Sequence, residues 1–335
     1  MVKELFKNLY RIEIPLPKNP LKFVNSYVIK SSERNLIIDT GWNQKECIDA
    51  MQSGLGELGV DLKKTDFFIT HYHIDHFGLI SHIALNTSKI YFNQPDASWI
   101  RSGTFWDESI QFARLNGFPE EELEAVLQSH PGFKFRSGFK IKPEDPLTFH
   151  ILKEGDGIRV GDYDFKCVET PGHTKGHMCL YESGKKIFIA GDHLLKDITP
   201  TISLWSNEWD PLKEYLASLD KVYLMDIEFV LPGHGAMFTN CKERIEELKH
   251  HHQERINEIT TILGKGDKNA FQIASEMTWD ILYDSWDLFP VTQKWFATGE
   301  AISHLKYLEG KERVRREMHQ KKIIYSINEA PKTKK

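Results

Sequence analysis

The chain has 335 residues, 40% hydrophobic and 27% charged, a globular composition with room for one large domain and a smaller one. Its formal net charge of -5 argues against a dominant nucleic-acid-binding surface, though not against a local one. No apolar run approaches a membrane span, Lys3, Glu4 and Lys7 break up any signal-peptide pattern, and Cys47, Cys167, Cys179 and Cys241 lack Cys-x-x-Cys pairing, so the expectation is a cytoplasmic protein with free thiols.

In chain order, Tyr10-Arg11-Ile12-Glu13-Ile14 alternates as a strand does. Ser26-Tyr27-Val28-Ile29 and Asn35-Leu36-Ile37-Ile38 flank a turn at Ser31-Ser32-Glu33-Arg34. Asn43 is placed to cap a helix in which Ile48, Met51, Leu55 and Leu58 keep helical spacing. A short buried strand, Asp66-Phe67-Phe68-Ile69, then runs into Thr70-His71-Tyr72-His73-Ile74-Asp75-His76-Phe77-Gly78. Four side chains that bind metals well fall within six residues. A strand ending in His-x-His points both imidazoles to one side, because side chains alternate with a period of two. Asp75 has an alternative role as the N-cap of a helix through Ile83. This run of strand, helix, strand and His-rich loop is an α/β pattern, with helices covering a sheet.

Residues 93–150 differ in kind. Trp99, Phe105, Trp106 and Phe112 lead into an acidic helix at Glu120–Leu127, and Pro131, Gly132, Pro143 and Pro146 then break the chain. The segment reads equally as a helical insertion with its own small core or as a lid over a site. Strand patterning returns at Ile158–Val160, Asp164–Val168, Met178–Tyr181, Lys186–Ala190 and Phe229–Leu231. Three of these strand ends deliver a metal-competent residue into a loop: His173, Asp192 and His234. A boundary is expected near 241. Beyond it, helices are expected at 244–263, 269–277 and 291–308, then a terminal hairpin with a strand at Lys321–Ile327. Residues 311–335 hold about nine Lys/Arg against three Asp/Glu, and the tail 331–335 reads as disordered.

Together His71, His73, Asp75, His76, His173, Asp192 and His234 make a donor set for two adjacent divalent ions, with zinc ahead of manganese or iron and calcium disfavoured. In this pattern, His-x-His-x-Asp-His followed by Thr170-Pro171-Gly172-His173, Gly191-Asp192-His193 and Pro232-Gly233-His234-Gly235, the chain resembles the metallo-β-lactamase superfamily over about residues 10–240. The resemblance implies an αββα sandwich with the site at one edge of two packed sheets. It implies that His71, His73 and His173 hold one metal, that Asp75, His76 and His234 hold a second, and that Asp192 bridges them. A metal-bridging hydroxide then attacks the substrate, with Asp75 and Asp192 as the catalytic carboxylates and Asp75 a source of the leaving group's proton. Dedicated β-lactamases of the superfamily generally lack the bridging carboxylate, so Asp192 speaks against antibiotic hydrolysis. The oxygen-reducing di-iron members carry Glu where His73 stands. Nucleases with the large cap need more than the 41 residues between Asp192 and His234.

In the C-terminal region, Arg255-Ile256, Ala274-Ser275-Glu276, Lys294–Glu300 and Ala301–Leu308 are similar to the winged-helix-like extension of the β-lactamase-like protein 2 branch. The expected organisation is a catalytic domain at 1–241 carrying the 93–150 insertion, and a winged-helix-like domain at 242–330. The first functional reading is a binuclear hydrolase of a small ester, lactone or thioester. The second is a single-strand-directed ribonuclease of that branch, and the third a non-catalytic module that binds nucleic acid or a partner subunit. No membrane partner is expected, and a homodimer is left open. Asp39 can support a ligand histidine or cap the turn at Thr40-Gly41. His193 can face the site or be incidental, Trp205 and Trp209 can line a pocket or pack in a core, and His250, His251 and His252 point in different directions around one helix.

Overall fold

The computed structural model describes residues 1–102, 105–129, 148–280 and 283–328. The Pro/Gly breaks at 131–146 and the tail 331–335 lie outside the described residues. By their contacts, the described residues fall into two compact units.

The first unit comprises the described residues of Met1–Ser102, Arg136–Pro200 and Ser218–Ile245. A seven-stranded sheet runs in chain order: β1 (Val2–Phe6), β2 (Leu9–Pro15), β3 (Phe23–Ile29), β4 (Asn35–Ile38), β5 (Thr65–Phe68), β6 (Ile90–Asn93) and β7 (Phe149–Leu152). A five-stranded sheet has the order β12 (Phe229–Pro232), β11 (Ile187–Gly191), β10 (Met178–Glu182), β9 (Tyr163–Glu169) and β8 (Gly157–Val160). Alternation sorts the first sheet's side chains onto two faces. Tyr27, Ile38 and Phe68 meet Phe165, Leu180, Ile189 and Leu231 of the second sheet in one buried cluster. Val28, Ile37 and Phe67 turn the other way, under Cys47, Met51 and Leu55 of helix α1 (Lys45–Leu58). Each such fully buried side chain contributes about 1.5–3 kcal/mol of transfer free energy. Sheet on sheet, with a helix over the outer face, is the layering expected from the sequence.

Two local expectations change. Gln44, not Asn43, is the N-cap of α1, and its side chain makes no capping bond. The helix expected through Ile83 is two short turns, α2 (Ile74–Phe77) and α3 (Ile80–Ile83). The N-cap of α2 is His73, which puts Asp75 inside the first turn rather than at the cap. Helix α4 (Gln94–Ser102) follows β6.

The second unit comprises the described residues of Gly103–Phe135, Thr201–Ala217 and Glu246–Lys335. Helices α5 (Phe105–Leu115) and α6 (Glu120–Ser129) belong to it, followed by α7 (Pro211–Tyr223) and α8 (Cys241–Leu263), whose ends lie in the first unit. Then come α9 (Ala270–Glu276), α10 (Val291–Gly310) and a hairpin of β13 (Val314–His319) with β14 (Lys322–Ile327). Residues 105–129 share a core with the C-terminal helices. Phe118 meets Phe271 and Trp295 edge-on at 5.1 and 5.7 Å, Tyr325 donates to Asn116 Oδ1 at 2.8 Å, and Lys294 pairs with Glu122 at 2.7 Å. Trp205 is buried against Trp295, their rings stacked at 3.7 Å, so it packs in this core. Among the described residues no helix is long and apolar enough to cross a membrane.

Candidate metal centre

Strand direction explains why residues so far apart in sequence meet. β10 runs antiparallel to both β9 and β11, and β11 runs parallel to β12. The carboxyl ends of β9, β11 and β12 therefore share one edge, from which His173, Asp192 and His234 emerge. In the first sheet β4 and β5 run parallel, so Asp39 and the His71–His76 loop also share an edge. Asn25 and Tyr27 of β3 join the two edges. The Asn25 N–H donates to Gly233 O at 2.7 Å, its Nδ2 to Pro232 O and Gly235 O at 2.9 Å, and Tyr27 Oη to Pro232 O at 2.7 Å.

His71 and His73 lie beyond the end of β5, in a loop, so a bend rather than strand alternation brings their rings together. His71 Nε2 is 3.0 Å and His173 Nε2 2.9 Å from His73 Nδ1. On the other side His234 Nε2 is 3.4 Å from Asp75 Oδ2, and His76 Nε2 is 4.0 Å from the same oxygen. Asp192 stands between: Oδ1 is 3.5 Å from His76 Nε2, and Oδ2 is 3.5 Å from His173 Nε2 and 3.6 Å from His234 Nε2. All seven residues expected from the sequence are thus brought to one place. They form three overlapping groups able to hold an ion: His71, His73 and His173; His71, His76 and Asp192; Asp75, His76 and His234. Gly233 permits this closeness, since a Cβ there would lie 2.4 Å from Asp192 Oδ1 and 2.8 Å from the His76 ring.

Outer hydrogen bonds orient the rings. His76 Nδ1–H donates to Asp39 Oδ2 at 2.7 Å and His234 Nδ1–H to Phe23 O at 2.8 Å, which leaves each Nε2 facing inward. Asp39 also accepts from the Thr70 N–H and Oγ1 at 2.9 and 2.8 Å. Of its two sequence roles, supporting a histidine is the one the geometry displays.

The electrostatics divide the cluster. Burial, and then the charge of His76, drives His71 well below the usual imidazole range; burial and His173 bring His73 down to about 3. His76 and His234 go up despite burial, His234 to about 10, because Asp192 and its neighbouring carboxylates face them. Burial opposes ionisation of Asp75 and Asp192, yet His76 and His234 hold Asp75 down at about 2 and keep Asp192 well below the carboxylate range.

This donor set fits divalent ions. His76 Nε2, His234 Nε2 and Asp192 Oδ1 are buried, and they meet one another and Asp75 through the 3.4–3.6 Å ion-pair contacts above rather than through close hydrogen bonds. Donors sharing a tetrahedral zinc at about 2.0–2.1 Å would sit roughly 3.3 Å apart, close to the separations found here.

Two residues escaped the sequence reading. His177 is buried; its Nε2 accepts from the Asp192 N–H at 3.1 Å and its Nδ1 meets Thr170 Oγ1 at 2.8 Å. Its spacing four residues after His173, just before a strand, was a usable signal. Asp96 contacts both histidine loops, and its Asn-Gln-Pro-Asp context announces only a helix start. His193 is buried beside Asp192 but joins none of the three groups.

Residues 19–234 match the metallo-β-lactamase superfamily. The chain belongs to that superfamily. It is similar to the probable metallo-hydrolase YqjP of Bacillus subtilis, 28% identical over 297 residues that span 86% of this chain and 88% of that one. It is 26% identical over 222 residues to the acyl-coenzyme A thioesterase MBLAC2 of Gallus gallus, covering 64% of this chain and 73% of that one. The crystal structure of the metallo-β-lactamase family protein TTHA1429 from Thermus thermophilus superposes with a TM-score of 0.79 at 26% identity, over 97% of this chain and 100% of that one. This superfamily member is a hydrolase, and its clustered histidines and aspartates suit divalent metals.

Proposed function

We propose that this protein is a binuclear metal-dependent hydrolase of a small acyl substrate, a thioester first and an ester or lactone next. The observation that carries this reading is the set of three overlapping donor groups, linked through His71, His76 and Asp192, with the buried Nε2 atoms of His76 and His234 and Oδ1 of Asp192 converging at the carboxylate-rich end. In it, His71, His73 and His173 hold one ion, Asp75, His76 and His234 the other, and Asp192 lies between; zinc suits the nitrogen-rich set. When bound, such a pair supplies an activated water and Lewis acidity toward the substrate's carbonyl oxygen. The chain's own residues do the rest. Asp39 and Phe23 O fix the tautomers of His76 and His234, so both rings present Nε2. Asp75 is more exposed than Asp192, with 15% of its side chain open against 9%. Held ionised, its carboxylate can take up a proton and return it to the leaving group.

The thioester preference draws on the thioesterase names of relatives that match 64–72% of this chain. The test is metal analysis of purified protein followed by assays on thioester, ester, lactone and phosphodiester panels. The expected result is about two ions per chain and acyl hydrolysis abolished by a chelator. Activity confined to RNA overturns the substrate assignment, and well below one ion per chain overturns the metal assignment.

A further inference from the structure

Asp96 stands in the first turn of α4, with 1% of its surface exposed. A carboxylate at a helix start ordinarily turns back onto its own first N–H groups. Asp96 instead sends its hydrogen bonds out of the helix, to two separate loops. Its Oδ2 accepts from the Tyr72 N–H at 3.0 Å and from Thr174 Oγ1 at 2.9 Å, and its Oδ1 accepts from the Gly176 N–H at 2.8 Å. Tyr72 lies between His71 and His73, and Thr174 directly follows His173. One carboxylate thus grips both loops that supply the three-histidine group.

The grip is close. A Cβ on Gly176 would lie 2.6 Å from Asp96 Oδ1 and 1.9 Å from Asn93 Oδ1, so only glycine brings this backbone near enough to donate. Asn93 Oδ1 fixes Asp96 in turn by accepting from its N–H at 3.0 Å. These partners are neutral N–H and O–H groups. A buried carboxylate held by such donors is destabilising unless all of them stay in place, so its position and theirs are set together.

We propose that Asp96 is a positioning residue for the metal centre. By tying Tyr72 to Thr174 and Gly176 it sets the separation of His173 Nε2 from His73 Nδ1 and His71 Nε2, and so the affinity and geometry of the three-histidine site. The proposal rests on the metal reading given above.

The experiment compares the full-length wild type with Asp96→Asn, which keeps the volume but turns an N–H₂ toward the donors. Zinc affinity is measured by competition with a chromophoric chelator, and the ligand field by the visible spectrum of the cobalt-loaded protein. The expected result is two zinc ions in the wild type and, in the variant, one of them weakened by about tenfold to a hundredfold, the usual effect of removing an outer partner, with an altered cobalt spectrum. Thr174→Val removes a single bond to Oδ2 without adding bulk; it should weaken the same ion by a few-fold, and it serves if Asp96→Asn does not fold. Wild-type protein that takes up no zinc overturns the metal reading and this proposal together. Two zinc ions held by the wild type, with affinities and cobalt spectra unchanged in a folded variant, overturn this proposal alone and leave Asp96 a structural residue.

Discussion

Each unit of the protein buries a cluster of histidines, and the two clusters are built to opposite ends. In the second unit His304 Nδ1–H donates to Glu300 O at 2.8 Å, so its Nε2 accepts from His252 Nδ1–H at 3.0 Å. Each proton there has a protein partner, and the rings form a chain. The Glu300 carboxylate lies 3.9 Å from His251. In the first unit the outer nitrogens of His76 and His234 are satisfied by Asp39 and Phe23 O, while the inner ones converge on Asp75 and Asp192. Number of histidines is therefore a poor guide to a metal centre. What sets the first cluster apart is ring nitrogens aimed at a common point beside negative charge, with outer hydrogen bonds orienting the rings.

The strongest way to break this contrast is to remove the residue on which the donor groups meet. Asp192→Ala should lower kcat/KM for the acyl substrate by roughly 10³-fold, about 4 kcal/mol of transition-state stabilisation, and reduce bound metal to about one ion per chain. Kinetics and metal analysis on the same preparation check both. Next, zinc at about a hundred times its Kd should stabilise the native state by about 2.7 kcal/mol. Hydrogen exchange should place the added protection in residues 71–76 and 172–177, and equal protection at 250–254 and 300–304 would erase the distinction drawn here.

The chain-like cluster should respond to truncation and acid. His304→Ala leaves His252 Nδ1–H without its acceptor and should destabilise the second unit by about 2 kcal/mol, with zinc stoichiometry unchanged; urea unfolding followed through the Trp205–Trp295 pair is the measurement. Acid gives a smaller effect with a definite sign. Burial, then neighbouring His304, lowers the pKa of His252, and burial also lowers that of His304. Their folded values lie below the ordinary 6.5, so both fold as neutral rings. Stability is complete above that pH and falls as pH drops from it toward the folded values, by about 1.4 kcal/mol per histidine and pH unit. Comparing chelator-treated wild type with His304→Ala, each unfolded at pH 7.5 and 5.5, isolates this pair from the histidines around Asp192, and an equal loss of stability on acidification in the two would contradict it.

The candidate metal centre, as a cluster of histidines and aspartates, was legible in the sequence because its residues come in short local motifs at strand ends, and hydrophobic alternation marks strand ends well. Met178–Tyr181 and Phe229–Leu231, for example, lie within the observed β10 and β12. What stayed hidden is tertiary. The helical period of 105–129 shows which face is apolar, but not that Phe118 and Asn116 find Trp295 and Tyr325 about two hundred residues later. Asp96 carries no sequence signal for this role because its partners, Tyr72 and Thr174, lie on loops that no local pattern connects to it. The bend that turns His71 toward His73 was likewise invisible, since period-two reasoning ends with the strand.

The hydrogen bonds from Asn25 and Tyr27 to the Pro232–Gly235 turn also have a kinetic meaning. They join positions more than two hundred residues apart, and closing so long a loop becomes favourable only after most of the intervening strands have paired. During synthesis, a chain that has emerged as far as Asp192, directly after β11, already carries six of the seven proposed ligands, yet lacks the last strand that brings His234 to them. Under the proposed assignment, filling of the Asp75, His76 and His234 site would mark the end of folding, and its rate in refolding protein would time the docking of β12.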